Sequence, residues 1–244
     1  MSSQGVGAVE RLLRGAHERG GRDPFEWVTD PLRDAPGPVL DVMCGTAGTR
    51  TAVAGAWVGV DADAKQLTGA AAAGRGPLVR ASPTRLPIAS RSVGGVLLAL
   101  CLPGLHALDA LFAELRRVLQ PGGTLVAMVP ARPNASLAEQ RAWRPLGRAL
   151  GEGDGWPTRS ARDHLGWILA AADFAVLGDD RATFWLPLPD EPSAGAFVDG
   201  LLAGSLWPPG VPAERATRAR QLIQRRSGPG RQMPLPLRRL VARR

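Results

Sequence analysis

Between Val39 and Pro130 short apolar runs alternate with segments of helical periodicity, and this alternation constrains the fold more than any other feature of the chain. Val39 to Met43, Ala56 to Asp61, Pro77 to Ala81, Val93 to Leu100 and Thr124 to Pro130 have strand length. Val93 to Leu100 is continuously apolar, as a strand covered on both faces requires. The intervening segments read as a Gly-containing turn with a short helix up to Gly55, a helix over Ala64 to Ala73, and a helix over Leu105 to Leu119. In the last of these, Leu105, Leu108, Leu111, Phe112, Leu115, Val118 and Leu119 form one stripe, which Gln120-Pro121-Gly122-Gly123 stops. Parallel neighbours need a crossover and antiparallel ones do not, so strands separated by helices predict a doubly wound, mostly parallel sheet.

The flanks are less regular. Val9, Leu12, Leu13 and Ala16 predict an amphipathic helix over Gly5 to Arg19, and a second helix is expected over Phe25 to Asp34, before the breaker Ala35-Pro36-Gly37-Pro38. Leu137 to Leu150 is helical in pattern but interrupted by Pro145, and Gly151 to Pro157 reads as a flexible loop. A helix over Arg159 to Ala172 takes Ser160 as a possible N-cap. Phe174 to Leu177 and Thr183 to Leu186 read as strands, Ala194 to Leu202 and Ala213 to Arg226 as helices, and Leu235 to Ala242 as a last extended segment.

No apolar run reaches the ~20 residues needed to cross a bilayer, and Met1 to Glu10 lacks the basic and apolar regions of a secretory signal. Two cysteines in 244 residues do not make a disulfide framework. A reduced, cytoplasmic protein is expected. The net charge of +8 is local: residues 215–244 hold ten arginines and no acid, which leaves 20 basic residues against 22 acids in residues 1–214. That segment is read as a solvated tail, with phosphates or an acidic partner as the other option. Lys65 is the only lysine, so the arginine excess partly reflects composition.

Chemistry concentrates in Val39-Leu40-Asp41-Val42-Met43-Cys44-Gly45-Thr46-Ala47-Gly48 and in Trp57-Val58-Gly59-Val60-Asp61. A strand that runs into a turn of small residues lets backbone N–H groups approach a ligand, and an acid at the end of the next strand can accept both hydroxyls of a ribose. This suits any adenosine-containing cofactor, NAD included. Leu40-Asp41-x-x-Cys44-Gly45-Thr46 resembles the first motif of the class I S-adenosylmethionine-dependent methyltransferases. Val58-Gly59-Val60-Asp61 is similar to their second-strand motif, Ser82-Pro83-Thr84-Arg85-Leu86-Pro87 to their D-A-x-x-L-P segment, and Leu115 to Gly123 to the helix and turn before strand five. The four motifs cover residues 39–130 in order, and the small-molecule and quinone-biosynthesis branch is the nearest.

The resemblance implies a seven-stranded, Rossmann-like domain over residues 1–244: an N-terminal helical cap (1–37), a cofactor-binding half (38–130), lid and substrate-side elements (131–230), and a basic C-terminal edge strand (231–244) whose arginines keep that edge from pairing. It implies S-adenosylmethionine as cofactor and methyl transfer to a small organic molecule at oxygen or carbon. Asp41, Met43, Gly45 and Thr46 would form the loop around the cofactor, Asp61 would bind its ribose, Ala62 and Pro83 would flank the adenine, Ser82 would sit at its edge and Leu100 would line the site. The chain departs from the family at several places. Met43 and Ala47 stand where glycines are usual, so Met43 either fills cofactor space or turns into the core. Ser82 and Gly94 replace aspartates, and the crossover between strands one and two is about three residues short.

An acceptor hydroxyl needs a base, and with no tyrosine and one lysine in the chain that base would be a His, Asp or Glu; His106, just past strand four, is the first candidate catalytic residue. His17 is a substrate-side candidate from the N-terminal helix, and His164 is read as a surface or lid residue. Five of the seven tryptophans, Trp143, Trp156, Trp167, Trp185 and Trp207, lie beyond strand five, and Trp156 is expected to face substrate. Cys44 and Cys101 end neighbouring strands and read as buried thiols, a redox pair being the alternative; no spacing suggests a metal. The worn motif at Met43, Ala47 and Ser82 keeps open a non-catalytic, protein-binding module. An RNA methyltransferase using the basic C-terminus is a further alternative, although nucleic acid is not the expected partner and Leu100-Cys101-Leu102-Pro103 stands where such enzymes carry [ND]-P-P-[YFW]. An NAD dehydrogenase is the weakest of the rivals.

Overall fold

The computed structural model describes residues 7–133, 135–151 and 155–244. Its centre is one seven-stranded sheet: β1 (Val39–Val42), β2 (Trp57–Asp61), β3 (Leu78–Arg80), β4 (Val93–Ala99), β5 (Leu119–Pro130), β6 (Ala175–Pro187) and β7 (Gln232–Arg243), in the order β3-β2-β1-β4-β5-β7-β6. The first five strands are parallel, and β7 is antiparallel to both β5 and β6, so the sheet is mixed. Side chains alternate across it as the pleat demands. On β4, Val96 and Leu98 enter one core cluster and Leu97 the other. One face carries α1 (Ala8–Gly15), α2 (Pro24–Thr29), α5 (Leu137–Leu150), α8 (Glu191–Leu202) and α9 (Ala213–Gln224); the other carries α4 (Leu108–Val118), α6 (Ser160–Asp163) and α7 (Leu165–Ala171). A further helix, α3 (Ala64–Ala72), joins β2 to β3.

Caps and packing explain most boundaries. A capping box between Asp23 and Glu26, with Pro24 at the first turn, starts α2. Five buried apolar residues hold α4, each worth roughly 1.5–3 kcal/mol; it begins three residues later than expected because Leu102–Gly104 forms a separate 3-10 turn. Pro145 does not interrupt α5, whose buried Trp143, Leu146 and Leu150 bracket it.

Several expectations are corrected. The segment 231–244 is not an edge: β7 lies between β5 and β6, with apolar residues buried along both faces, and β6 takes the edge. The two strands expected over Phe174–Leu177 and Thr183–Leu186 are one, β6, with a bulge near Gly178. Between them, Asp179 and Asp180 pair with Arg238 and Arg239 of β7, so a polar stretch that reads as a turn is held as strand. The helix expected over 159–172 breaks at His164, and Arg159 rather than Ser160 takes the cap position. Of the segment Gly5 to Arg19, α1 covers Ala8–Gly15, and the rest before Gly7 lies outside the described residues, as does part of the loop Gly151 to Pro157.

Candidate functional site

In open α/β sheets ligands bind beyond the C-terminal ends of the strands where the strand order reverses. Here that place is between β1 and β4. Non-glycine residues with left-handed backbone sit on both sides of it: Met43 (φ 59°) and Ala47 (φ 56°) after β1, and Leu100 (φ 61°) after β4. Each such conformation costs roughly 1–2 kcal/mol. Leu100 is held by its N–H, which donates to the Met128 carbonyl at 2.8 Å. The Met43 side chain is half-buried and packs against the core cluster of Leu40 and Val42. Gly45 also has positive φ (56°), and a Cβ there would meet only Gln66 Oε1 at 3.9 Å, so the space in front of this backbone is open. The crossover to β2 is a single 3-10 stretch, Gly48–Ala52, shorter than the helix expected there.

Two carboxylates face this loop. Asp61, at the end of β2 and 9% exposed, accepts the N–H of Gly45 on one oxygen and that of Asp63 on the other, both at 2.8 Å. Asp41, on β1, is 1% exposed and accepts the Thr49 hydroxyl on Oδ2, while its Oδ1 has no partner. Burial pushes the Asp41 carboxyl up to about 7; the Thr49 bond opposes this and the charge of Asp61 adds to it. Burial, with the charges of both aspartates, raises the Cys44 thiol, and burial with Asp41 pushes Cys101 up to about 12. The two cysteines are free and pack into opposite clusters of the sheet, and thiols with raised pKa are poor nucleophiles.

The first helix clamps the same loop. Glu10 of α1 accepts the Thr46 hydroxyl at 2.6 Å and pairs with Arg75 at 2.5 Å, and Arg75 Nη1 also donates to the Thr46 carbonyl at 2.6 Å. Arg14 donates to Asp23 at 3.0 Å and to the Gly48 carbonyl and Thr51 hydroxyl. Burial opposes the charge of Glu10, yet its bonds to Arg75 and Thr46 hold the carboxyl below its usual range. Sequence reasoning missed Glu10, Arg14 and Arg75, because Arg75 lies 65 residues from Glu10 and no local pattern joins them.

The remaining expected residues divide by position. Ala62 is exposed after β2; Ser82 is exposed in a turn after β3, its hydroxyl 3.0 Å from that of Thr84, with Pro83 half-buried beside it. His106 is exposed just before α4. Its turn is tied to the loop of Trp156, because Thr158 donates its N–H to the Pro103 carbonyl at 3.0 Å and its hydroxyl to that of Leu105 at 2.5 Å. His17 pairs by its backbone with Trp185 on β6, four strands from β1, so the structure does not bring it to the first loop. His164 is exposed at the break between α6 and α7. Trp156 is 6% exposed and lines a small cleft at the end of β5 with Pro130, Trp143, Trp207 and Leu235. Trp143 and Trp207 stack there, 6.2 Å between centroids and 10° between planes. Trp167 is 80% exposed, outside any such lining. No group of three or more potential metal ligands occurs among the described residues, and no described helix is long and apolar enough to cross a membrane.

Residues 40–127 match the family described as a methyltransferase domain. No curated protein matches the chain. Among solved structures it is similar to the cyclase SpnF (18% identity, TM-score 0.56, 90% of this chain and 79% of that one). It is also similar to the YcgJ protein of Bacillus subtilis (13%, TM-score 0.57, 90% and 97%). A third likeness is to a geranyl diphosphate C-methyltransferase of Streptomyces coelicolor, solved with Mg²⁺, geranyl diphosphate and S-adenosyl-L-homocysteine (15%, TM-score 0.54, 90% and 79%). At these identities the likeness is one of fold.

Proposed function

Residues 40–127 match a methyltransferase-domain family, and we propose that the chain is a class I S-adenosylmethionine-dependent methyltransferase that methylates a small, planar organic acceptor at oxygen or carbon. The observation that carries the reading is a juxtaposition at one end of the sheet. The strained ends of β1 and β4 lie beside an aromatic cavity at the end of β5, the strand next to β4.

The first loop fits the cofactor. Gly45 leaves room for close approach, Asp61 keeps lone pairs beyond the two N–H bonds it accepts, and Asp41 has a buried oxygen without a partner. Asp41, Met43, Gly45 and Thr46 would border the cofactor's amino-acid part, Asp61 would hold its ribose, Ala62 and Pro83 would flank the adenine with Ser82 at its edge, and Leu100 would form the wall towards β4. S-adenosylmethionine, when bound, supplies a methyl group on an electrophilic sulfonium. The protein's part is then alignment and exclusion of water. Trp156, Trp143 and Trp207 supply flat apolar walls that would orient a ring, with Arg132 and Arg162 also in the lining. His106, on the turn tied to the Trp156 loop, is the candidate to take a proton from an acceptor hydroxyl.

One observation favours a second reading, a protein-binding module on the same fold: the Thr46 hydroxyl and carbonyl are already engaged by Glu10 and Arg75. Calorimetric titration with S-adenosylhomocysteine, with NAD as control, separates the two. The enzyme reading expects roughly micromolar binding that Asp61→Ala weakens at least tenfold; no binding to folded protein overturns it and leaves the module.

A further inference from the structure

Several arginines of this protein are matched to acids. Arg75, Arg117, Arg181, Arg220, Arg238 and Arg239 each pair with a carboxylate within 3 Å. On the α5–α9 face, by contrast, exposed arginines gather without acids beside them. Arg141, Arg144 and Arg148 are all exposed on α5 at spacings of three and four, which puts them on one stripe of the helix. Arg225 and Arg226 are exposed at the end of α9, and Arg226 reaches across to the Ala142 carbonyl at 3.4 Å, which brings that end of α9 beside the start of the stripe. None of these five has an acidic partner among the described residues. The acids of the two helices do not offset them: Glu139 is buried on the inner side against Arg181, and Glu214, at the other end of α9, pairs with Arg218. Leu137, 68% exposed, lies one turn before Arg141 on the same stripe.

Like charges held this close repel one another, and the repulsion is relieved by an anionic surface laid across both helices. We infer that this face docks the protein on an anionic lipid surface. Charge complementarity names the class of partner, and two features select lipid over nucleic acid. The face presents no exposed aromatic side chain on which bases could stack. Its stripe begins with an exposed leucine, the pairing of apolar and basic groups that suits a headgroup region. The opposite side of α5 carries Trp143 into the cavity at the end of β5, so docking would bring that helix, with its cavity wall, up to the membrane. The inference does not depend on methyl transfer.

The test is flotation of the full chain with vesicles of phosphatidylcholine alone and of phosphatidylcholine with phosphatidylglycerol. Binding is expected only to the anionic vesicles, falling steeply as salt is raised. The triple variant R141Q/R144Q/R148Q should lower it about tenfold or more, whereas the charge-matched control R19Q/R80Q/R85Q, changed at exposed arginines elsewhere, should not. Circular dichroism of both variants checks that they fold. Three results would each overturn the proposal: no binding of folded protein to anionic vesicles, equal losses in the two variants, or tighter binding to a single-stranded RNA oligonucleotide than to the vesicles.

Discussion

Asp41 is a carboxylate whose environment takes it far from its ordinary chemistry. It is buried, one oxygen is unpartnered, and its carboxyl is pushed up to about 7 by burial against an unfolded value near 4. Between those values the folded protein holds a proton that the unfolded chain releases. Stability therefore falls as pH rises through this window, and the penalty is complete above about 7. Asp41→Asn lacks that titration and still accepts the Thr49 hydroxyl. It should gain about 1–4 kcal/mol over the wild type between pH 5 and pH 8, read from urea unfolding at both; parallel slopes for the two proteins would show that Asp41 ionises normally. That an acid lies on β1 was legible in Leu40-Asp41, as was the acid ending β2. Their different surroundings were not, because a side chain's desolvation depends on what the rest of the chain packs above it.

Among elements, the start of β4 shows how a family preference gives way to packing. Gly94 stands where an aspartate is frequent, and its own φ permits any residue. A Cβ there would lie 2.3 Å from the Pro36 carbonyl oxygen, which is backbone and cannot swing aside. Gly94→Ala should cost about 2–4 kcal/mol in denaturant unfolding with an unchanged slope; a cost under 1 kcal/mol would mean the segment before β1 moves freely. A second element-scale constraint joins α5 to β6: buried Glu139 accepts from Arg181 and from the Thr183 hydroxyl, each at 2.5 Å. Glu139→Ala leaves Arg181, part-exposed, free to rehydrate, so a loss of about 2–3 kcal/mol is expected in the same measurement. Helices and strands with strong periodicity, α4 and β4 above all, were readable from their own residues. β6 was not, because the acids that break its apolar pattern are matched by arginines some 60 residues further on.

At the scale of the whole molecule, the basic C-terminal segment changes meaning. From sequence it reads as a solvated tail or an edge strand; as β7 it is an inner strand whose Arg238 and Arg239 neutralise Asp179 and Asp180. Removing residues 232–244 should therefore abolish cooperative unfolding rather than merely lower an affinity, and a sharp thermal transition in the truncated chain would contradict the strand order. Charge located by sequence alone says where arginines are, not what they face. The fold was legible because the alternation of β and α is local. The clamp on the first loop through Glu10 and Arg75, and the place of β7, join distant segments and leave no local trace. Fold alone also does not fix chemistry, since the similar structures include a cyclase as well as a methyltransferase.

The inner position of β7 also sets a schedule for synthesis. Gln232 follows Pro187 by 45 residues, and at about 5–20 residues per second a ribosome needs roughly 2–9 s to make that interval. Throughout it β6 has been made but lacks the strand that ties it to the sheet, and β5 presents an open edge. The nascent chain is thus an unfinished sheet for several seconds, and the elements that wall the cavity from α5 to β7 can assemble only after the last strand has been released into place.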